Sequence, residues 1–393
     1  MNILFLYSSE FLQQKGGVQR VTCVLTKYFK KKGHQVIYLS SQRTSDCNES
    51  ANHQFFLPNL ENLNCRENIN YYVELVKMHN IDVVINQGGL GPSFSRFCLK
   101  IKEYLDVKVI SVIHNSLLGN VLNFTSSHEK EIKKIGIPYL LSLLKTNFVS
   151  KILKKVYLLK YKKHYTLTCK KYDKLVLLSE EYFPELEDFV PNFDLSKVTA
   201  IQNPCTIEGG NGEFVKGNEL LYVGRINTAQ KRVDLLLEIW SRIQNKYPHW
   251  NLSIVGDGVE KKELELKSIK LGLERIKFHG IQNPLSFYQG AKILCMTSSY
   301  EGFPLVLVEA QKFGTVPIAF DSFASIKDVV THDKTGVLVE PFDINSYVEE
   351  LSKLMDNEQR ICVLSQNCKS SVDRYSVEKI GERWIELFEN LLN

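Results

Sequence analysis

The sequence lacks the features by which disulfide-rich, zinc-binding and membrane-spanning proteins are recognised. Its nine cysteines are odd in number and form no C-x-x-C pair, so we expect them to be reduced and mostly buried. No apolar run approaches the roughly 18 residues that a membrane-spanning helix needs. The start of the sequence, MNILFLYSSE, has neither the basic residues nor the small-residue cleavage site of a secretory signal, which favours a cytoplasmic protein.

Charge of one sign does not dominate the chain, because 49 basic and 44 acidic residues leave a net charge of only +5. The lysines are unevenly spread, however: residues 132–172 contain eleven lysines and neither Asp nor Glu. A basic surface is therefore expected in this part of the chain. With 393 residues, 44% of them apolar, the composition is typical of a globular protein, and the length favours two domains.

Apolar runs of strand length alternate with amphipathic stretches, which is typical of parallel sheets with helices on both faces. In the first half the predicted strands are 2–7, 35–40, 82–86, 108–114 and 174–178. In the second half they are 219–224, 251–256, 276–280, 292–298, 316–320 and 335–340. We therefore predict an α/β fold with doubly wound domains over 1–200 and 201–376. The stretch 202–218, rich in Gly, Asn and Pro, is expected to connect them, and apolar residues at helical spacing predict a helix over 377–392.

Ligands of doubly wound sheets bind at the carboxyl ends of the strands, so the residues that follow the predicted strands are the candidates for a site. Gly16 and Gly17 precede a predicted helix that runs through Lys31, where two glycines let backbone amides approach a phosphate or a sugar, or simply form a turn. His114 and Asn115 follow the fourth strand. A neutral imidazole there could bond to a sugar hydroxyl, or it could be structural.

In the second half, Arg225 and Lys231 follow the first strand and are six residues apart. Two cations above a strand end suit a diphosphate, although solvated surface charge is the alternative. Gly256 and Gly258 follow the next strand and resemble part of a dinucleotide-binding fingerprint. Lys261 stands where that fingerprint needs its third glycine, so we do not expect NAD binding there.

The segment EGFPLVLVE, residues 301–309, is the most informative one. Glu301 is expected in a loop and Glu309 on the following helix, so that the two carboxylates can bind different parts of one ligand. The first turn of that helix is expected to offer unpaired backbone amides, those of Phe303, Leu305 and Val306. We expect Glu309, like Arg225 and Lys231, to line a cleft rather than a core. Such a set suits an anionic, hydroxyl-rich ligand such as a nucleotide sugar.

These motifs, together with Asn203-Pro204, extend over nearly the whole chain, and they resemble the retaining glycosyltransferases of family 4. The resemblance implies the GT-B fold, with two Rossmann-like domains facing a central cleft and the helix of 377–393 packed back on the first domain. It implies transfer of a hexose or N-acetylhexosamine, most simply from a UDP-sugar, to a hydroxyl of a glycan or lipid-linked glycan in surface polysaccharide biosynthesis. One departure is the segment SFASIKD after Asp321, where the family often has a Gly-rich turn.

The resemblance also implies roles for individual residues. Arg225 and Lys231 would neutralise the donor diphosphate, Glu301 would hold sugar hydroxyls and His114 would lie beside the transferred sugar. Glu309 would accept hydrogen bonds from the ribose. The remaining donor contacts would come from Gly16, Gly17, Gly256, His279, Gly280, Ile281, Phe303, Leu305 and Val306.

Partners and cofactors follow from the same patterns. No aspartate lies two positions from another, so a D-x-D metal clamp is absent and we expect no metal requirement. No nucleic-acid recognition motif occurs, and nucleic acid is not an expected partner. Residues 145–171 predict a helix with a basic face, which would either attach the protein to the inner face of the cell membrane or be a solvated helix. A GT-B enzyme of other chemistry, such as an epimerase or phosphorylase, and a nucleotide-sugar-binding protein without turnover are the alternative functions.

Overall fold

The computed structural model describes residues 1–12, 16–43, 53–122, 124, 132, 144, 146–209 and 214–393. They form two compact units. The first consists of Met1–Leu117, Lys155–Thr206 and Tyr375–Asn393, and the second of Leu118–Lys154 and Ile207–Arg374. The division thus differs from the predicted one between residues 200 and 201 and between 376 and 377, and the described residues among 118–154 group with the second unit. A sequence pattern identifies elements, but it does not determine on which unit a connecting segment packs.

The first unit contains a seven-stranded, wholly parallel sheet of order β3-β2-β1-β4-β5-β6-β7. Its strands are β1 Asn2–Ser9, β2 Gln35–Gln42, β3 Gln54–Phe56, β4 Val83–Asn86, β5 Lys108–Ile113, β6 Lys174–Leu177 and β7 Val198–Ala200. The central strands are apolar on both faces because helices cover both sides, and Ile3, Leu4 and Leu6 are fully buried. The predicted strands are present, whereas the three-residue edge strands β3 and β7 were not predicted.

The helices between residues 16 and 189 follow the strands of this sheet along the chain. The described ones are α1 Gly16–Lys31, α2 Arg66–Met78, α3 Pro92–Leu99, α4 Gly119–Leu122, α5 Asn147–Lys171 and α6 Phe183–Phe189, with 3-10 turns at Lys100–Glu103, Glu180–Tyr182 and Leu195–Lys197. Helix α1 begins at Gly16, whose φ of +80° lies in the left-handed region that favours glycine. None of the helices in the described residues is long and apolar enough to cross a membrane.

The second unit contains a six-stranded parallel sheet of order β10-β9-β8-β11-β12-β13. Its strands are β8 Gly217–Val223, β9 Asn251–Val255, β10 Ile276–Gly280, β11 Ala291–Met296, β12 Val316–Phe320 and β13 Val337–Val339. Its later helices are α7 Val233–Ile243, α8 Lys261–Lys270, α9 Leu285–Gly290, α10 Leu305–Lys312, α11 Ile326–Val329, α12 Ile344–Met355 and α13 Glu358–Ser371, with a 3-10 turn at Val372–Tyr375. All six predicted strands are present, and the order of strands reverses between β8 and β11. A reversal of this kind opens a crevice at the carboxyl ends of the two strands.

Helix α14, Val377–Leu392, belongs to the first unit. The Ser376 side chain accepts a hydrogen bond from the Lys379 amide and so caps the helix. On its buried face, the Phe388 ring packs 5.6 Å from the ring of Phe29 on α1. The last helix of the chain therefore completes the packing around the first one.

Five cysteines of the described residues are buried, namely Cys98, Cys169, Cys205, Cys295 and Cys368. Burial raises the pKa of Cys98, Cys295 and Cys368 to about 12. These thiols are therefore protonated at neutral pH and behave as small apolar side chains.

We predict that Gly381→Ala destabilises the first unit, although alanine normally favours a helix. A Cβ atom at this position would lie 2.3 Å from two ring atoms of Tyr28. Overpacking of this kind typically costs about 1–3 kcal/mol, so we expect a lower midpoint in thermal unfolding. Glu386→Ala, at an exposed position of the same helix, is the control and should leave the midpoint almost unchanged. A Gly381→Ala protein as stable as wild type would contradict this account of the helix contact.

Candidate functional site

The loop 224–232 follows β8 and is held between the loops that follow β9 and β11. On one side the Ile226 amide donates to the Asp257 carbonyl at 2.8 Å. On the other side the Ser299 amide donates to the Gln230 carbonyl at 2.6 Å. The loop that carries Arg225 and Lys231 is therefore fixed by backbone hydrogen bonds at both edges of the crevice.

Two glycines after β9, Gly256 and Gly258, allow the backbone of the loop 224–232 to pass close to their own backbone. A Cβ atom on Gly256 would lie 1.9 Å from the Gly224 carbonyl oxygen, and one on Gly258 would lie 2.0 Å from the Ile226 carbonyl oxygen. Gly256 also has a φ of +139°. Close backbone packing is thus sufficient to explain both glycines. Contact of Gly256 with a nucleotide remains a prediction.

Arg225 and Glu301 act on the same part of the second unit. Arg225 is exposed, and its carbonyl oxygen accepts a hydrogen bond from the Tyr222 hydroxyl at 2.9 Å. Burial raises the pKa of Tyr222 well above its usual range, the negative charge of Glu301 raises it further, and the positive charge of Arg225 opposes them. Burial and the charge of Glu301 likewise raise the pKa of Tyr300, and the charge of Arg225 again opposes the rise. The charges of Arg225 and Glu301 thus both act on Tyr222 and on Tyr300, so the two charged residues lie close to the same pair of tyrosines.

Lys231 and Glu301 form an ion pair. The lysine Nζ lies 2.5 Å from Glu301 Oε1, and the two side chains are only 15% and 9% exposed. The Gln230 side-chain amide donates to the Tyr300 carbonyl at 3.1 Å and reaches Glu301 Oε2 at 3.4 Å. The two oxygens of one carboxylate are thus held by neighbouring residues of the loop 224–232.

Thr297 anchors the backbone at Lys231. The Thr297 hydroxyl, fully buried after β11, lies 3.0 Å from the Lys231 carbonyl and 2.9 Å from the Arg232 carbonyl. Arg232 has a left-handed backbone with a φ of 50°, and its guanidinium pairs with Asp234 at 3.2 Å. The strained turn at Arg232 ends the loop and begins α7.

The structure corrects the sequence analysis at the EGFPLVLVE segment. Glu309 is completely buried, and its Oε2 accepts a hydrogen bond from the Tyr288 hydroxyl at 2.9 Å, so it does not line an exposed surface. The Leu305 amide is not an unpaired donor, because it bonds to the Phe303 carbonyl at 2.9 Å. Phe303 and Leu305 are themselves buried, whereas Val306 is half-buried. Helix α10 is largely apolar and buried, and Glu309 is buried together with its neighbours on this helix.

The residues expected near a nucleotide base lie at the carboxyl end of β10 and directly after it. His279 lies with Nε2 3.0 Å from the Ser253 hydroxyl, and its ring packs against Phe287 at 4.7 Å. Burial and the nearby charge of Lys277 lower the pKa of His279, so that the ring is neutral at pH 7. Ile281 is 81% exposed and is free to contact a flat apolar ligand.

The first unit holds a second group of predicted residues around His114. Its Nε2 bonds to Gln87 Oε1, the Gln87 amide donates to Thr22 Oγ1 at 3.1 Å, and the Thr22 hydroxyl donates to the Val18 carbonyl at 2.8 Å. The chain of bonds connects His114 to the start of α1, which carries Gly16 and Gly17. These predicted residues are therefore brought together at one edge of the sheet.

The direction of these bonds determines the tautomer of His114. Because the Thr22 proton goes to Val18, Thr22 must accept from Gln87, and Gln87 Oε1 must accept a proton from His114 Nε2. Burial lowers the pKa of His114 to about 4, so the ring is neutral at pH 7. Nδ1 is then an acceptor, and it is buried without a hydrogen-bond partner within the described parts of the chain.

Sequence reasoning missed four residues that orient the candidate site. Gln230 and Thr297 hold the Lys231–Glu301 pair, and Gln87 and Thr22 hold His114. Gln230 could have been noticed because it directly precedes Lys231. The other three are common residue types, and no spacing in the sequence marks them.

Comparison with known proteins identifies similar chains. Residues 206–371 match the model of the family described as glycosyl transferases group 1. An uncharacterized glycosyltransferase of Haemophilus influenzae is 33% identical over 215 residues, which are 54% of this chain and 60% of that protein. The Campylobacter jejuni protein named GalNAc-alpha-(1->4)-GalNAc-alpha-(1->3)-diNAcBac-PP-undecaprenol alpha-1,4-N-acetyl-D-galactosaminyltransferase is 28% identical over 203 residues, 51% of this chain and 56% of that one. The chain thus spans between half and two thirds of the length of these curated relatives.

Among solved structures, Anabaena Alr3699/HepE in complex with UDP-glucose matches with a TM-score of 0.73 at 14% identity, covering 99% of this chain and 100% of that one. At this identity the likeness concerns the fold. The matched family residues fall mainly in the second unit, and the two α/β units built on parallel sheets have the GT-B fold of glycosyltransferases.

Proposed function

We propose that this protein is a retaining glycosyltransferase that moves a hexose or N-acetylhexosamine from a UDP-sugar to a hydroxyl of a glycan or lipid-linked glycan in surface polysaccharide biosynthesis. The observation that carries the proposal is the grouping of Arg225, Lys231 and Glu301 at the carboxyl ends of β8 and β11. Cations suit the diphosphate of such a donor, and a carboxylate suits the hydroxyls of its sugar. The matched family and the printed names of the relatives support this reading.

In the proposed reaction the bond between the sugar C1 and the diphosphate oxygen breaks, and a bond from C1 to the acceptor oxygen forms on the same face. The acceptor proton passes to the leaving phosphate oxygen, a step that the resemblance to family 4 supplies. Negative charge grows on the diphosphate as the bond breaks, so Arg225 and Lys231 stabilise the transition state more than the bound donor. No protein nucleophile is needed.

His114 has a defined part in this proposal. Its neutral ring is proposed to lie beside the transferred sugar, where it adds no positive charge. The glycines at the start of α1 are proposed to contact the diphosphate through their backbone amides.

Helix α5 suits an acceptor at a membrane. Four apolar side chains, Phe148, Ile152, Val156 and Leu159, are 46–73% exposed, and their spacing of four, four and three residues puts them on one face. Lysines flank that face. An apolar stripe bordered by cations is typical of helices that lie on an anionic lipid surface. The Campylobacter jejuni relative is named for an acceptor linked to undecaprenol.

Removal of either cation should impair transfer. We expect Arg225→Ala and Lys231→Gln each to lower kcat/KM by about 10- to 100-fold, because each lost charge-assisted hydrogen bond is worth about 1.5–3 kcal/mol. Transfer is followed as product mass and nucleotide release with UDP- and GDP-sugars and a lipid-linked acceptor. Lys262→Gln, which removes an exposed lysine of α8, is the matched control. Wild-type turnover in a folded Arg225→Ala or Lys231→Gln protein would rule out the diphosphate assignment.

Transfer should not depend on a divalent metal. The sequence has no D-x-D pattern, and the described residues contain no group of three or more His, Cys, Asp or Glu that could hold a metal ion. Two cationic side chains are available for the diphosphate instead. We expect the initial rate with excess EDTA to equal the rate in its absence. Loss of activity in EDTA that only manganese or magnesium restores would show that this part of the proposal is wrong.

The protein should bind vesicles that contain anionic lipid, and salt should weaken the binding. Each lysine near such a surface contributes about 1 kcal/mol, and the Debye length shrinks from about 10 Å at 0.1 M salt to about 3 Å at 1 M. Co-sedimentation is measured for wild type and for a variant in which five lysines of α5 become Gln: Lys151, Lys154, Lys155, Lys162 and Lys163. A control variant carries the same change at five exposed lysines elsewhere: Lys30, Lys262, Lys270, Lys334 and Lys379. Equal pelleting of both variants would show that α5 is simply a solvated helix.

A further inference from the structure

The two side chains that the proposed function gives to different parts of the donor are bonded to each other in the free protein. Lys231 is assigned to the diphosphate and Glu301 to the sugar, yet the Lys231 ammonium lies 2.5 Å from Glu301 Oε1. Both side chains are more than four-fifths buried. A diphosphate must therefore compete with Glu301 for Lys231 before it can use that cation.

Glu301 has a side-chain contact besides the one to the lysine. Gln230 contacts the other carboxylate oxygen, Oε2, at 3.4 Å, and donates to the Tyr300 carbonyl at 3.1 Å. Thr297 holds the Lys231 backbone through the carbonyl oxygen, so only the flexible lysine side chain needs to move. Release of Lys231 exposes Oε1 of a carboxylate that stays in position.

A largely buried carboxylate without its cation is costly, because its charge is poorly solvated. A donor that carries a sugar replaces the lost ammonium with hydroxyl donors at Oε1. A bare nucleoside diphosphate takes the lysine in the same way but brings no hydroxyl group to Glu301. The two ligands therefore differ in free energy by the cost of not replacing the bond that Lys231 made to Oε1.

We propose that Lys231 and Glu301 form an exchange pair, which couples binding of the diphosphate to the presence of a sugar on it. The inference rests on the proposed function and extends it to selection of the ligand. Before the reaction the pair favours the nucleotide sugar over the free nucleoside diphosphate. After transfer the sugar is gone, Glu301 recaptures Lys231, and the product nucleotide is released more readily.

The test is a set of dissociation constants for UDP and for the UDP-sugar that supports transfer, measured by calorimetry. Glu301→Gln keeps the shape of the side chain but cannot hold Lys231 as an ion pair. We expect this variant to bind UDP about tenfold more tightly than wild type and to bind the UDP-sugar no more tightly. The inhibition constant of UDP in the transfer reaction, where activity remains, should fall with its dissociation constant. Thermal unfolding of each variant shows whether it is folded.

A double variant separates the exchange from general repulsion between a carboxylate and a diphosphate. In a Lys231→Gln background there is no ammonium to release, so adding Glu301→Gln should change UDP affinity less than twofold. Asp257→Asn, which removes an exposed carboxylate at the end of β9 that does not bond to Lys231, should likewise have little effect on the ratio of the two dissociation constants. A gain in UDP affinity that persists in the Lys231→Gln background would overturn the exchange and indicate repulsion instead.

The outcomes also separate this inference from the proposed function. If wild type binds the UDP-sugar and transfers the sugar, but Glu301→Gln binds UDP no more tightly, the exchange pair is wrong and the glycosyltransferase proposal stands. If wild type binds neither UDP nor any UDP-sugar, both are wrong. Tighter UDP binding by Glu301→Gln that depends on Lys231 supports the exchange pair.

Discussion

Close contact between two backbone segments determines the geometry of the second unit's site. The loop after β8 passes over the loop after β9 so closely that Gly256 and Gly258 leave no room for a side chain. The loop after β9 holds one edge of the loop 224–232. Ser299 and Thr297, which follow β11, hold its other edge. The backbone of Lys231 is therefore held where its side chain pairs with Glu301.

In the first unit, hydrogen bonds rather than backbone packing orient the candidate residue His114. A chain of hydrogen bonds runs from His114 through Gln87 and Thr22 to the Val18 carbonyl. Because each donor in it has one acceptor, the proton of the neutral His114 ring must lie on Nε2. Burial keeps the ring neutral by lowering its pKa. The second unit thus holds an ion pair, whereas the first holds an uncharged imidazole.

Much of this arrangement could be predicted from the sequence, because long apolar runs and helical spacing are local signals. The strands that begin at Asn2 and Asn251 and the helix Val377–Leu392 are examples. Strands β3 and β7 could not be predicted, since three residues at a sheet edge form no pattern. The pairing of Lys231 with Glu301 was equally hidden, because 70 residues separate them in the sequence and side-chain direction decides the contact. Glu309 was predicted on the right helix, but its burial depends on Tyr288, which comes from another helix.

The packing of α14 on α1 has a consequence for synthesis of the protein. The first unit is assembled from three separate stretches of chain, and the last of them, Tyr375–Asn393, leaves the ribosome after every residue of the second unit. Phe29 on α1 cannot be covered by Phe388 until then. During translation the second unit can thus complete its core first, while the nascent first unit retains an uncovered apolar surface on which chaperones can act.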